Sequence, residues 1–124
     1  MTWYKDGIPD KCSFVIGAEA ANVINVGIQL QEQDGADLAN RGQVYAYLSD
    51  DANGDSIAAT APSGGVAIGT DGVADPITAN KSFMLISEAD GDIDLDITEV
   101  GAATWYLIVC IQGELFASSA ITFA

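Results

Sequence analysis

Residues 81–124 contain three apolar runs in which apolar and polar positions alternate, and this alternation constrains the fold more than any other feature. The runs are separated by Asp90-Gly91 and Gln112-Gly113, pairs that favour turns between antiparallel strands. A period of two puts the apolar side chains of a run on one face of a strand. The pattern therefore predicts an antiparallel sheet with one buried face. It also predicts a hairpin, formed by residues 82–87 and the strand that follows Asp90-Gly91.

The same period recurs earlier in the chain, at residues 24–30 and 44–49. Residues 104–111 are the most apolar run, and we expect them to pair with a C-terminal strand over residues 115–123. Residues 50–80 are rich in Gly, Ser, Asp, Ala and Pro, which is typical of loops, here flanking a short edge strand at residues 66–68. A helix is expected at most over residues 17–22. About seven short strands with regularly spaced turns predict an all-β protein, an antiparallel β-sandwich rather than a barrel.

Length and charge limit what this sandwich can do. A chain of 124 residues fits one domain, which we place at residues 13–124, and no run approaches the roughly 20 apolar residues of a membrane-spanning helix. The N-terminus shows no secretory signal, so assembly in a cytoplasm is expected. The net charge is −14, and such a field repels phosphate backbones. We expect no membrane and no nucleic acid among the partners, and the simplest use of the charge is solubility.

Catalysis is not favoured by the composition. The chain has no histidine, the side chain that most readily exchanges protons near neutral pH. The glycine-rich residues 63–69 lack the Lys-Ser or Lys-Thr of a phosphate-binding loop. We therefore expect a protein that is not an enzyme and that uses no cofactor.

Two acidic clusters could in principle bind a cation. Asp92, Asp94 and Asp96 share one face of a strand at spacings of about 7 Å, but a solvated outer face explains them better than a calcium site. Residues 51–55 begin like a calcium loop and then lack its glycine and glutamate, which favours a turn. No metal is expected at either cluster.

The two cysteines, Cys12 and Cys110, each lie inside an apolar run. Buried, inert thiols are the favoured interpretation, since a reducing cytoplasm keeps thiols reduced. A disulfide between the two strands stays open for a protein that later meets oxidising surroundings.

Residues 1–12 are predicted to form an N-terminal arm, outside the acidic body. They combine the large side chains Trp3, Tyr4 and Ile8 with Lys5 and with a Gly and a Pro that oppose regular structure. Aromatic residues contribute strongly when they enter a pocket of a partner. The alternative, equally favoured, is that Trp3 and Tyr4 fold back over the open end of their own domain.

A second candidate surface lies on the predicted strand 44–49. Tyr45 and Tyr47 are expected on its outer face, where they either contact a partner or simply suit a strand. The candidate interface thus consists of six residues: Trp3, Tyr4, Lys5, Ile8, Tyr45 and Tyr47.

Several segments resemble a recurring module of tailed-bacteriophage structural proteins. They are residues 25–30, 44–51, 66–72, 87–94 and 119–124, and the likeness extends over about residues 23–124. The resemblance implies an immunoglobulin-like sandwich on the virion surface. It suggests a head decoration (cement) protein, bound outside the capsid to the major capsid protein and commonly a homo-oligomer, frequently a trimer.

The motifs behind this resemblance are strand and turn patterns, so they specify a fold better than a role. A free-standing domain fits a cement protein that stabilises the capsid. The alternative is a receptor- or carbohydrate-binding module on tail or capsid, which would use Tyr45, Tyr47 or the loop at residues 50–65.

Overall fold

In a computed structural model, which describes residues 7–124, the chain is an antiparallel β-sandwich of ten strands, and the predicted fold class is confirmed. No helix occurs among these residues, and so none that could span a membrane. The strands are β1 Lys11–Ile16, β2 Val23–Gln31, β3 Gln43–Ser49, β4 Gly65–Ile68, β5 Val73–Thr78, β6 Ser82–Ile86, β7 Asp92–Thr98, β8 Ala103–Ile111, β9 Glu114–Ala117 and β10 Ile121–Phe123.

The strands form two sheets. The four-stranded sheet has the order β1-β2-β7-β4, and the larger one has the order β10-β8-β3-β6-β5, with β9 also paired to β8. The first order corresponds to strands A, B, E and D of an immunoglobulin constant-type domain, and β3, β8 and β9/β10 correspond to its strands C, F and G. The hairpin β5–β6 is added between D and E, and it extends the larger sheet beyond β3. This insertion, and the split of the last strand into β9 and β10, account for ten strands instead of about seven.

The core lies between the sheets and follows from the period of two. In β2 and β7 every second side chain is buried, and the facing strands β3, β6 and β8 contribute a matching set. Trp105 closes one part of this core, packing edge-on against Phe123 with ring centroids 6.0 Å apart. Its indole N–H donates to the carbonyl oxygen of Thr60 at 3.2 Å, so the polar atom of the ring is also satisfied.

The predicted hairpin across Asp90-Gly91 is wrong. Strand β6 belongs to the larger sheet and β7 to the smaller one, where it pairs with β2 and β4. The segment between them crosses from one sheet to the other. Gly91 is indeed in a turn with φ +80°, but its carbonyl oxygen accepts a hydrogen bond from Leu30 of β2 at 2.9 Å.

Three smaller expectations also need correction. Residues 17–22 form no helix: Ala20 pairs with Val23 across a tight turn at Ala21 and Asn22, which both have positive φ. Strand β5 lies in a region that the composition marked as loops. The arm predicted at residues 1–12 ends earlier, because Lys11 and Cys12 already pair with Gln31 and Leu30 in the sheet.

Candidate functional site: the outer face of the larger sheet

The outer face of the larger sheet differs in charge from the rest of the molecule. Its three central strands, β3, β6 and β8, contain no charged residue. The six strands together contain only Asp75 and Glu114, and both lie on marginal strands. Residues 1–6 hold one Lys and one Asp, so the entire net charge of −14 falls on residues 7–124, away from these central strands.

The strand register places one row of side chains across this face. Leu115 of β9 lies opposite Cys110 of β8, which lies opposite Tyr45 of β3, and Tyr45 in turn lies opposite Met84 of β6. Directly opposite residues of paired strands project to the same side of a sheet. The row is therefore an apolar band, and Asp75 continues it on the edge strand β5.

A groove with a volume of about 370 Å³ lies within this band. We call it the Tyr45 groove; its lining includes Ile8, Pro9, Tyr45, Met84, Cys110 and Gln112. The side-chain amide of Gln112 donates to the carbonyl oxygen of Pro9 at 2.8 Å, which ties the N-terminal segment to the turn between β8 and β9. The volume falls within the range of about 300–1,000 Å³ that is typical of ligand pockets.

Exposed apolar side chains continue the band to both margins of the sheet. Leu115 is 49% exposed on one side, and Val73, which lies opposite Ile86, is 50% exposed on the other. Ile8 at the groove is 47% exposed. An apolar surface of this kind, with charge only at its margins, is typical of a contact site for another chain.

Tyr47 has a different role from Tyr45, although their rings are 5.7 Å apart. The Tyr47 hydroxyl donates to the carbonyl oxygen of Gly54 at 2.6 Å, and Gly54 packs against Ile108. Burial is the main reason why the pKa of Tyr47 is raised above its ordinary value. Tyr47 thus holds the loop that follows β3 against the outer face.

That loop is itself closed by carboxylates. Asp51 accepts hydrogen bonds from the backbone N–H groups of Asn53 and Asp55, both at 3.0 Å, and Asp50 accepts one from Ala59 at 3.0 Å. These are turns in which an Asp side chain caps the backbone, as the sequence predicted for residues 51–55.

Of the six predicted interface residues, the structure brings Ile8 and Tyr45 together in the Tyr45 groove. Tyr47 lies beside them and holds the loop. Trp3, Tyr4 and Lys5 lie outside the described residues.

The sequence interpretation missed Met84 and Cys110, which also line the groove. The alternating pattern of their strands predicts that every second residue faces outward. It does not predict which strands lie next to each other in the sheet. A correct strand order would have placed both beside Tyr45.

The outer face of the smaller sheet carries the three predicted carboxylates Asp92, Asp94 and Asp96. Asp94 accepts hydrogen bonds from the backbone N–H groups of Thr70 and Asp71, at 3.0 and 2.6 Å, and from the Asn25 amide at 2.7 Å. Burial raises the pKa of Asp94, but these hydrogen bonds outweigh burial and leave the pKa below its ordinary value. Asp94 therefore fastens the connection after β4 to the sheet.

Asp92 lies two residues from Asp94 on the same face, and its environment is the opposite. Burial raises its pKa, and the nearby carboxylates of Asp90, Asp71 and Asp37 raise it further. Within residues 7–124, no group of three or more metal-ligating side chains is arranged to hold an ion.

The two thiols project to different sides of the sandwich. Cys12 packs against the core from β1, and burial raises its pKa to about 12. Cys110 lies between the buried Val109 and Ile111 and projects to the outer face, opposite Tyr45. Both cysteines are free. Both are intermediate in exposure, whereas the sequence predicted buried thiols.

No protein-family model matches the chain, and no curated protein shows significant sequence similarity to it.

Proposed function

We propose that this chain is a non-enzymatic structural protein of a bacteriophage virion, which binds the outside of the capsid and stabilises it. The observation that supports this proposal best is that the outer face of the larger sheet has no charged residue on its three central strands, although the domain is strongly acidic. The partner is the major capsid protein, and the protein acts as a homo-oligomer, with a trimer expected from the resemblance to phage modules.

The charge distribution fits such a role in two ways. Because Asp75 lies on the edge strand β5, the part of the apolar band on β8, β3 and β6 can be buried against a partner without removing a charge from water, which avoids a large desolvation cost. The carboxylates of β7 remain on the opposite face, where they keep decorated particles apart by mutual repulsion.

Stabilisation would arise from selective binding. A protein that binds the assembled lattice but not the separated subunits favours the lattice by about 2.7 kcal/mol when its concentration is 100 times its Kd. No catalytic step is involved.

Cosedimentation with phage particles tests the proposed surface. Leu115→Asp and Val73→Asp place a charge within the apolar band and should abolish binding. The matched controls are Val15→Asp and Val100→Asp, because both valines are more exposed, 73% and 69%, and lie outside the band. Equal binding by all four variants would contradict the proposed surface.

A separate experiment tests the proposed role. Particles from a lysate should carry the protein in many copies over the head, visible by electron microscopy, and removing it should lower their resistance to heat. A few copies at the tail tip would instead support the receptor- or carbohydrate-binding alternative. In that alternative Tyr45, Tyr47 or the loop at residues 50–65 recognises the ligand, and the hydrogen bonds to Gly54 and Asp51 already fasten part of this loop.

A further inference from the structure

We propose that the Tyr45 groove binds the N-terminal residues 1–6 of the same chain, with the aromatic side chains of Trp3 and Tyr4 as its ligands. This inference concerns the isolated protein and does not depend on the proposed role in a virion.

The first argument is where the described chain begins. Ile8 and Pro9 line the Tyr45 groove. Three of the hydrogen bonds that hold the segment before β1 involve Gly7 and Pro9: Gly7 N–H donates to Glu32 at 3.2 Å, Asn40 donates to the Gly7 carbonyl at 2.9 Å, and Gln112 donates to the Pro9 carbonyl at 2.8 Å. Residues 1–6 therefore start next to one end of the groove.

The second argument is reach. An extended chain spans up to about 3.5 Å per residue, so Trp3, four residues before Gly7, reaches about 14 Å from it. The groove extends from β8 over β3 to β6, and two strand spacings amount to about 10 Å. Both aromatic side chains can thus reach the groove without any change in the sandwich.

The third argument is chemical. The groove offers the ring of Tyr45, the thioether of Met84 and the thiol of Cys110, and aromatic rings pack favourably against both rings and sulfur. Residues 1–6 have one Lys and one Asp, so their net charge is zero and the acidic body does not repel them.

Cys110 makes this inference measurable, because it lies in the groove. The alkylation rate of Cys110 by iodoacetamide, followed by peptide mass spectrometry, should increase roughly tenfold or more in Trp3→Ala/Tyr4→Ala, since burying a large apolar side chain shifts an equilibrium by at least that factor. A chain lacking residues 2–6 should show the same increase. Thr2→Ala is the matched control and should react like the wild type, and circular dichroism should show an unchanged sheet in every variant.

Two results would overturn the inference. One is an unchanged alkylation rate of Cys110 in both the double variant and the shortened chain. The other is protection of Cys110 that grows with protein concentration, because the groove would then be covered by a second copy and not by its own N-terminus.

A second measurement uses Trp3 directly. In Trp105→Phe, Trp3 is the sole tryptophan. Its fluorescence should be blue-shifted and shielded from iodide, and Met84→Asp should remove both effects. Emission that is fully accessible to iodide in the Trp105→Phe protein would contradict docking.

Discussion

The backbone N–H of Asp71 donates a 2.6 Å hydrogen bond to the carboxylate of Asp94, and this bond fastens the connection between the two sheets. Asp94→Asn removes the charge from an acceptor that also binds Thr70 and Asn25. We expect a loss of about 1–3 kcal/mol in the free energy of unfolding, since hydrogen bonds to a charged group contribute about that much. Chemical denaturation measures it. Asp96→Asn is the control, because Asp96 accepts a single side-chain hydrogen bond, from Asn25 at 2.8 Å.

The effect of Asp94→Asn should depend on pH. The folded state lowers the pKa of Asp94, so its contribution to stability is complete above the unfolded pKa, about 3.9, and is lost as the pH falls through the lower folded value. The difference between wild type and variant should be largest at neutral pH and should shrink below about pH 4. A difference that is constant from pH 7 to pH 2 would show that the carboxylate charge is irrelevant.

Asp92→Asn should not destabilise the protein at neutral pH as Asp94→Asn does, although Asp92 lies on the same face of β7. The folded state raises the pKa of Asp92, first by burial and then through Asp90 and Asp71. When the folded state raises the pKa of a carboxyl group, the group stabilises the folded state at pH values below its pKa in the unfolded chain. This stabilisation is lost as the pH rises through its pKa in the folded protein. Asp92→Asn should therefore unfold at equal or higher denaturant concentration than the wild type at pH 7. A clear loss of stability at that pH would contradict this account.

Gly69→Ala tests the connection between β4 and β5 by placing a side chain against Asp94. A Cβ at this position would overlap the Asp94 carboxylate and would lie 3.0 Å from the Asn25 amide. We expect a destabilisation of about 1–3 kcal/mol, typical of an overpacked site. Gly35 and Gly113 are poor controls because their φ values are positive, +89° and +82°. Gly101→Ala is better, since a Cβ there would meet only Glu99 at 3.4 Å. Equal stability of the two variants would contradict the crowding.

The sequence predicted which side chains of a strand face the core better than it predicted which strands pair. The period of two correctly assigned buried and outward positions in β2, β3 and β7, because a strand's alternation is a local property. The partner of each strand depends on contacts far apart in sequence. Asp90-Gly91 is a real turn, yet the apolar residues of β7 complete the core only when β7 lies between β2 and β4, and this arrangement excludes the predicted hairpin.

Strand β5 was missed for a related reason. It is an edge strand with little burial, it contains Pro76, and its register shifts between Pro76 and Thr78. Such a strand lacks the alternating pattern that burial imposes, and a proline is tolerated only because one side of the strand has no partner. The candidate site could be predicted only in part. The alternating pattern placed Tyr45 on the outer face, but the strand order was needed to place Met84 and Cys110 beside it.

Tyr47→Phe should loosen the loop after β3. The substitution removes the 2.6 Å hydrogen bond to the Gly54 carbonyl, and we expect a loss of about 1 kcal/mol in stability together with faster amide exchange in residues 51–58. Tyr45→Phe is the matched control, because Tyr45 is the neighbouring ring on the same face and the hydrogen bond to Gly54 is made by Tyr47. If both variants change stability equally, Tyr47 does not fasten the loop.

Cys12 should be almost unreactive in the folded protein. Because burial raises its pKa from 9.0 to about 12, the thiolate fraction at pH 8 is about a thousandfold below that of an unburied cysteine. Alkylation of Cys12 should therefore follow global unfolding, and its rate should rise with urea in parallel with the loss of circular dichroism.

An intramolecular disulfide should not form under mild oxidation, since Cys12 packs towards the core while Cys110 projects from the far face of the other sheet. A faster-migrating band on a non-reducing gel of the native, oxidised protein would contradict this arrangement.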